Sequence, residues 1–361
     1  MNTTTVGVDL AKQVFAICVL DDQGRVLQRR EFRREAFTAW LAQLPAGTTV
    51  AMEACSSAHY WGRVCVEHGL QARLIAAQFV TPFRKSRGAK NDRNDAEAIA
   101  TAARQGNMRF VPVKSVEQQG RLAWHRAREG FKIERLAVMN RLRGLLSEFG
   151  IAIDARAAAL RGALAQAQER TDWPVGFVEL LGQLRRHWEQ VEEHLLACDR
   201  RIESHARTDT RCVRLQALAG IGPLTADATV AMVNDGREFR HGRQMSAWLG
   251  LVPRQNSSGG QEKLGRITRS GDSYLRTLLV QGARSSVNQA RRVTQDKATP
   301  EQIWIRQLSL RMPFGRLLVA VANKHARQMW AMLARGEAYD AHAWLNHPMV
   351  QRNATRARAA A

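Results

Sequence analysis

Four acids in the first hundred residues, Asp9, Glu53, Asp92 and Asp95, have the types and spacing to hold hard cations. Asp9 closes the apolar run Val6-Gly7-Val8-Asp9, and Glu53 closes Val50-Ala51-Met52-Glu53. Asp92 and Asp95 open a helix-like stretch ending near Ala100, and an i,i+3 pair shares one helical face. Two strand ends and one helix end can bring all four together. Acids drawn that close repel unless cations sit between them, and oxygen ligands suit Mg²⁺. Taken singly, each is what a strand end or a helix N-terminus carries anyway.

A second candidate chemistry lies far downstream, in Asn256-Ser257-Ser258-Gly259-Gly260. Most loop serines are only loop serines. Here Arg254, Lys263, Arg266, Arg269 and Arg276 surround the pair, and no His is near in sequence to act as a base. That setting suits a phosphate target. Guanidinium groups would neutralise the phosphate and leave the hydroxyl free to attack. Two further segments suit a nucleic-acid backbone. Arg84, Lys85, Arg87 and Lys90 crowd the stretch before the last acids. Leu215 to Ala226 reads as helix, Gly-rich turn, helix: Gly220 and Gly222 would let the turn approach a phosphate, beside Thr225 and the free N–H groups of the second helix. A solvated charge run and a plain helical turn are the simpler readings of these two segments.

The elements that must position these groups follow from periodicity. Thr4–Leu10, Val14–Leu20 and Arg25–Arg33 read as three meandering strands. Helix Glu35–Leu44, strand Thr48–Glu53, helix Ala58–His68 and strand Gln71–Ile75 follow, before the helix with the last acids. This is the order of a ribonuclease H-like domain over residues 1–113. A long helix is expected from Val116 to Phe149, with Ile133, Leu136, Leu142, Leu145 and Phe149 as its apolar stripe. After Pro174, the residues Phe177, Leu181, Leu184, Trp188, Val191, Leu195, Cys198 and Ile202 alternate by four and three. That pattern fits a helical hairpin within the chain or a seam between two chains, and residues 114–208 are either way a stiff spacer. Residues 209–345 read as mainly helical, ending in an amphipathic helix from Phe314 to Ala334 whose His325 reads as a surface residue. Residues 346–361 form a small, basic tail expected to be disordered.

The totals fit these sites. The chain has 361 residues, enough for two or three domains, and 54 Lys plus Arg against 33 Asp plus Glu give a net charge of +21. Such a field attracts polyanions, nucleic acid first. Cys18, Cys55, Cys65, Cys198 and Cys212 form no CxxC pair and read as reduced thiols. The N-terminus lacks a signal peptide's positive region, and no apolar run approaches the ~20 residues of a membrane span. A cytoplasmic protein with no membrane partner is expected.

Val6-Gly7-Val8-Asp9-Leu10-Ala11-Lys12, Met52-Glu53-Ala54 and Lys90-Asn91-Asp92-Arg93-Asn94-Asp95-Ala96 resemble the DEDD transposases of insertion sequences. So does Gly250-Leu251-Val252-Pro253, with its downstream Ser and Gly. These are the bridge-RNA-guided recombinases, related to the Piv DNA invertase. The resemblance covers roughly residues 4–340 and implies an α/β plus α architecture. It implies a RuvC-like N-terminal domain, a coiled-coil spacer and a helical C-terminal transposase domain with a helix-hairpin-helix. It further implies Asp9, Glu53, Asp92 and Asp95 as ligands of Mg²⁺, two ions, with Mn²⁺ as an alternative. The alignment places the nucleophile on Ser258, with Ser257 directly before it. DNA, a structured guide RNA and further copies of the chain are the implied partners, a dimer that becomes a tetramer on DNA. The residues also fit a water-using, metal-dependent junction nuclease. A third reading is a nucleic-acid-binding architectural protein with no chemistry. Carboxylates from one subunit and the serine from another would make a composite site.

Overall fold

A computed structural model describes residues 4–84, 92–257, 260–261 and 263–342. The chain divides into two compact units, Met1–Glu117 and Gln118–Ala361.

The first unit opens with strands β1 (Thr5–Leu10), β2 (Val14–Leu20) and β3 (Val26–Arg33), then helix α1 (Arg34–Leu41). Strand β4 (Thr49–Glu53), helix α2 (Ala58–Glu67) and strand β5 (Gln71–Ile75) follow. A short helix α3 (Ala77–Val80) and a 3-10 turn at Thr81–Phe83 lead to helix α4 (Asp92–Ala103) and a two-residue strand β6 (Phe110–Val111). The strands form one mixed sheet in the order β3-β2-β1-β4-β5-β6. β1 pairs antiparallel with β2 and parallel with β4. The order agrees with the ribonuclease H-like expectation. β6 and α3 were not foreseen, being too short to carry a periodicity.

Strand alternation decides what each face of this sheet holds. Val6 and Val8 of β1, and Val50 and Met52 of β4, point to a core shared with Phe37 and Leu41 of α1 and Trp61 and Cys65 of α2. The intervening residues Gly7, Asp9, Ala51 and Glu53 therefore point to the opposite face. There Ala51 packs with Ile99 and Ala98 of α4, and Ala16, Cys18 and Leu20 of β2 pack with Ala96 and Ala100. The helix lies very close to the strand. A Cβ on Gly7 would stand 2.1 Å from the Ala96 carbonyl oxygen and 2.5 Å from the Ala100 nitrogen. Small residues on both partners permit that approach.

The second unit begins with two long helices, α5 (Val116–Glu148, whose first two residues lie in the first unit) and α7 (Val175–Thr208), with α6 (Ala157–Gln168) between them. Phe131 meets the His194 ring at 5.0 Å, and Glu134 lies 3.0 Å from His187, so rising numbers on α5 meet falling numbers on α7. The pair is an antiparallel hairpin. The four-and-three stripe of α7 is buried within the chain: Leu181 and Trp188 join Leu142, Leu146, Leu160 and Leu164 in one core. The intramolecular reading of that stripe is thus the observed one. On α5 the inward stripe is Val138, Met139, Leu142 and Leu146, which shares Leu142 with the expected set, while Leu145 is half-buried beside it. Ile133 and Leu136 are 70% and 57% exposed.

The remaining elements are α8 (Thr210–Leu215), α9 (Pro223–Val233), α10 (Gly242–Trp248), β7 (Pro253–Gln255), β8 (Leu264–Ile267), α11 (Ser273–Arg292), α12 (Pro300–Ser309) and α13 (Phe314–Ala334). One core joins α8 to α13, centred on Leu279, Ala283, Val321, Ala326 and Met329. His325 is fully buried in α13, not on the surface, and burial pulls its ring down to about 4. The sequence hid this because Lys324 and Arg327, its neighbours, flag a polar face. The tail 346–361 lies outside the described residues.

Candidate active site

Asp9 and Glu53 leave the same face at the same end of two adjacent parallel strands, since Val8 pairs with Met52. α4 starts at Asp92 over that end, held down by the Gly7 contact, with Asp95 one turn in and 5% exposed. Asp9 feels the other three. Burial first, then the charges of Asp92, Asp95 and Glu53 in that order, push the Asp9 carboxyl up to about 6, with Arg84 pulling the other way.

Arg84 lies between two of these acids. Its Nη2 donates to Glu53 Oε1 at 3.3 Å, and its Nε stands 2.8 Å from Asp95 Oδ1. That second contact lacks hydrogen-bond geometry. Arg84 Nε and Asp95 Oδ1 are both buried without a hydrogen-bond partner and are held by charge alone. One guanidinium cannot offset four carboxylates. Among the described residues no three acids are arranged to share an ion as they stand. The carboxylates close around the arginine instead. Donor chemistry still fits a divalent cation: all-oxygen, clustered, with an orphaned buried carboxylate oxygen and a neighbour driven toward protonation. Asp9, Glu53 and Asp95, with Asp92 at the helix start, are the residues that would hold it.

The downstream candidates divide. β7 and β8 form an exposed hairpin, Pro253 opposite Ile267 and Gln255 opposite Leu264. The sequence showed only a polar loop here, because the strands are three and four residues long. Arg254, Lys263, Arg266 and Arg269 are exposed on or beside it. Ser257 closes the hairpin by accepting the Lys263 N–H at 3.3 Å. Ser258 lies outside the described residues, as do Lys85, Arg87 and Lys90. Arg276 is committed elsewhere. Its Nη1 donates to the carbonyls of Leu249 at 3.1 Å and Ser270 at 3.0 Å, tying the hairpin's base to α10 and α11.

The helical turn around Gly220 has a packing reason that its sequence did not show. Gly220 has φ +82°, and a Cβ there would stand 2.2 Å from the Gly282 carbonyl of α11. Its missing side chain serves helix packing. Thr225 is buried, and its carbonyl accepts the Thr229 hydroxyl at 2.7 Å. Gly222 alone is exposed with open space around it, at the start of α9.

One buried network escaped sequence reading. Asp227 of α9 is fully buried and accepts from Arg121 Nε at 2.8 Å and His125 Nε2 at 2.9 Å, both on α5. His125 Nδ1 meets the Tyr274 hydroxyl at 2.9 Å. An ionised carboxylate only accepts, so His125 Nε2 donates to Asp227. Burial pushes Asp227 up, but the bonds from His125 and Arg121 outweigh it and hold the carboxyl below its ordinary value. Arg121 and His125 share a face of α5 with Gln118, Arg128 and Lys132, so nothing in the sequence set them apart from a solvated polar stripe.

Comparison with known proteins gives independent findings. The family described as Transposase IS116/IS110/IS902 matches residues 212–298, and a DEDD-type transposase family matches residues 6–151. A protein of Pseudomonas aeruginosa named "Probable family 20 transposase" is 45% identical, over 94% of this chain and 99% of its own length. The "Transposase for insertion sequence element IS1111A" of Coxiella burnetii is 38% identical, over 92% of this chain and 90% of its own. A "Pilin gene-inverting protein" of Moraxella lacunata is 22% identical, over 77% and 81%.

Proposed function

Because the chain belongs to the IS116/IS110/IS902 transposases, enzymes that cleave and transfer DNA strands, we propose an RNA-guided, serine-based recombinase with a divalent-metal site. Asp9, Glu53, Asp92 and Asp95 would hold the ions, two Mg²⁺ or Mn²⁺. When bound, these supply charge to polarise a scissile phosphate and to ease deprotonation of an attacking hydroxyl.

The chain's own groups do the rest. Ser258 Oγ attacks phosphorus as the bond to the 3′ oxygen breaks, and the hydroxyl proton balances the departing oxygen. The link left is a phosphoserine, which a free 3′-hydroxyl later attacks to complete strand exchange. Storing the bond in an ester removes any need for ATP. Arg254, Lys263, Arg266 and Arg269 would neutralise the phosphate. A guide RNA would choose the target by pairing. The relative named for inverting a pilin gene supports rejoining over simple cutting. Further copies of the chain would assemble on DNA, with the exposed Ile133 and Leu136 of α5 as apolar surface for that contact.

The observation that supports the metal reading is the meeting of Asp9 and Glu53, at one end of adjacent strands, with Asp92 and Asp95 at the start of α4 over that end. Trapping on a suicide DNA substrate tests the chemistry. The wild type should leave a covalent protein–DNA adduct. Ser258→Ala and Asp9→Asn should abolish it, and Ser257→Ala should retain it. No adduct with intact cleavage would point to a water-using nuclease. Sequencing the RNA that co-purifies with the full chain tests the guided part: a discrete structured species from the element's own ends is expected.

A further inference from the structure

Arg84 offers more than a pairing partner for two acids. It follows the 3-10 turn at Thr81–Phe83, so its backbone belongs to neither the sheet nor α4. Its side chain alone reaches in, between Glu53 at the end of β4 and Asp95 in the first turn of α4. About a quarter of that side chain, 28%, still meets solvent, against 7% for Asp95. A guanidinium is therefore wedged between two proposed ligands, near the rim of the cluster. Its contact with Asp95 is charge without a hydrogen bond, a weaker hold than the forked geometry arginine makes with a carboxylate or phosphate.

We propose that Arg84 is a placeholder cation. It keeps Glu53 and Asp95 together while no ion is bound, and it leaves when a divalent ion enters. Released at the rim, the guanidinium becomes a ligand for a DNA phosphate, whose oxygens match its fork better than Asp95 does. Phosphate binding and ion binding then favour each other. Phosphate draws Arg84 off the acids, and an ion on the acids frees Arg84 for phosphate. By linkage the two effects are equal in size. The arrangement makes Arg84 a positioning residue that holds the metal site shut until DNA is present. This rests on the reading of the four acids as metal ligands.

Mn²⁺ titration of the full chain, followed by the spin resonance of free Mn²⁺, tests it with and without a nonspecific duplex, after subtracting ions held by the duplex alone. In the wild type, duplex should tighten Mn²⁺ binding about tenfold, within the ordinary range of coupling between sites. Arg84→Gln should bind Mn²⁺ about tenfold tighter without DNA, and its response to duplex should fall below twofold. Arg84→Lys, which keeps the charge but not the fork, should fall between the two and guards against misfolding of the glutamine variant. A purely structural arginine predicts lower stability and unchanged or weaker Mn²⁺ binding in Arg84→Gln. That result, or an equal duplex response in both proteins, overturns the proposal. Asp95→Asn and Glu53→Gln separate it from the reading beneath: if both bind Mn²⁺ like the wild type, the metal assignment itself falls.

Discussion

Burial first, and then the carboxyls around it, push the Asp9 carboxyl up to about 6. Its folded value lies above its unfolded one, so folding favours the protonated form. The stability of the ion-free protein is then greatest below about 4 and is lost as pH rises through about 6. Asp9→Asn removes that penalty. In chelator at pH 7 the variant should be more stable by on the order of 1–2 kcal/mol, after allowance for solvent screening. At pH 4 the difference should vanish. Urea melts at the two pH values check both, and a wild type no less stable than the variant at pH 7 would contradict the clustering. The acids themselves could be picked out of the sequence, because each ends a recognisable element. That Arg84 would turn inward to them could not, since it read like its neighbours Lys85 and Arg87 as part of a solvated basic run.

The cluster depends on how closely α4 rides on β1, and Gly7 sets that distance. Gly7→Ala would drive a methyl group into the Ala96 carbonyl, which belongs to backbone and cannot swing away. A loss of roughly 2–3 kcal/mol is expected from overpacking, together with loss of metal binding as the helix is lifted from the strand. Calorimetry and Mn²⁺ binding on one preparation check it. In the second unit the Arg121–Asp227–His125 network ties α5 to α9 out of contact with water. Asp227→Ala would strand the Arg121 charge, although Asp209 still accepts from its Nη1 at 2.7 Å. A cost of about 3–5 kcal/mol is the expectation for breaking a buried pair, read as a drop in the denaturant midpoint. The strands of the first unit and the long helices were largely legible because each runs long enough to repeat its period. The β7–β8 hairpin and the use of Gly220 were not, since a strand of three residues has no period and a glycine does not announce what packs against it.

The whole chain carries a net charge of +21, and this field acts before any site does. Binding of nonspecific duplex should be strong at low salt and weaken steeply, with a log–log slope on the order of −5 or steeper if several phosphates are neutralised. Asp9→Asn and Ser258→Ala should leave that slope unchanged, because neither removes a cation. Fluorescence anisotropy over a salt series measures it, and a shallow slope would mean the charge is spread too widely to act as one surface. No helix among the described residues is long and apolar enough to cross a membrane.

Residue order alone determined the strand-then-helix succession of the first unit, the four acids at element ends, and the polyanion-seeking charge. Those follow from periodicity and composition, which are local or additive properties. Tertiary structure decided what depends on distant segments meeting. It fixed which face of the sheet Asp9 and Glu53 share, that α7 spends its apolar stripe inside its own chain, and that an arginine stands among the acids. Packing and electrostatics act through space, so residues such as Arg84 and Asp95 acquire a joint role only once the fold has placed them 2.8 Å apart.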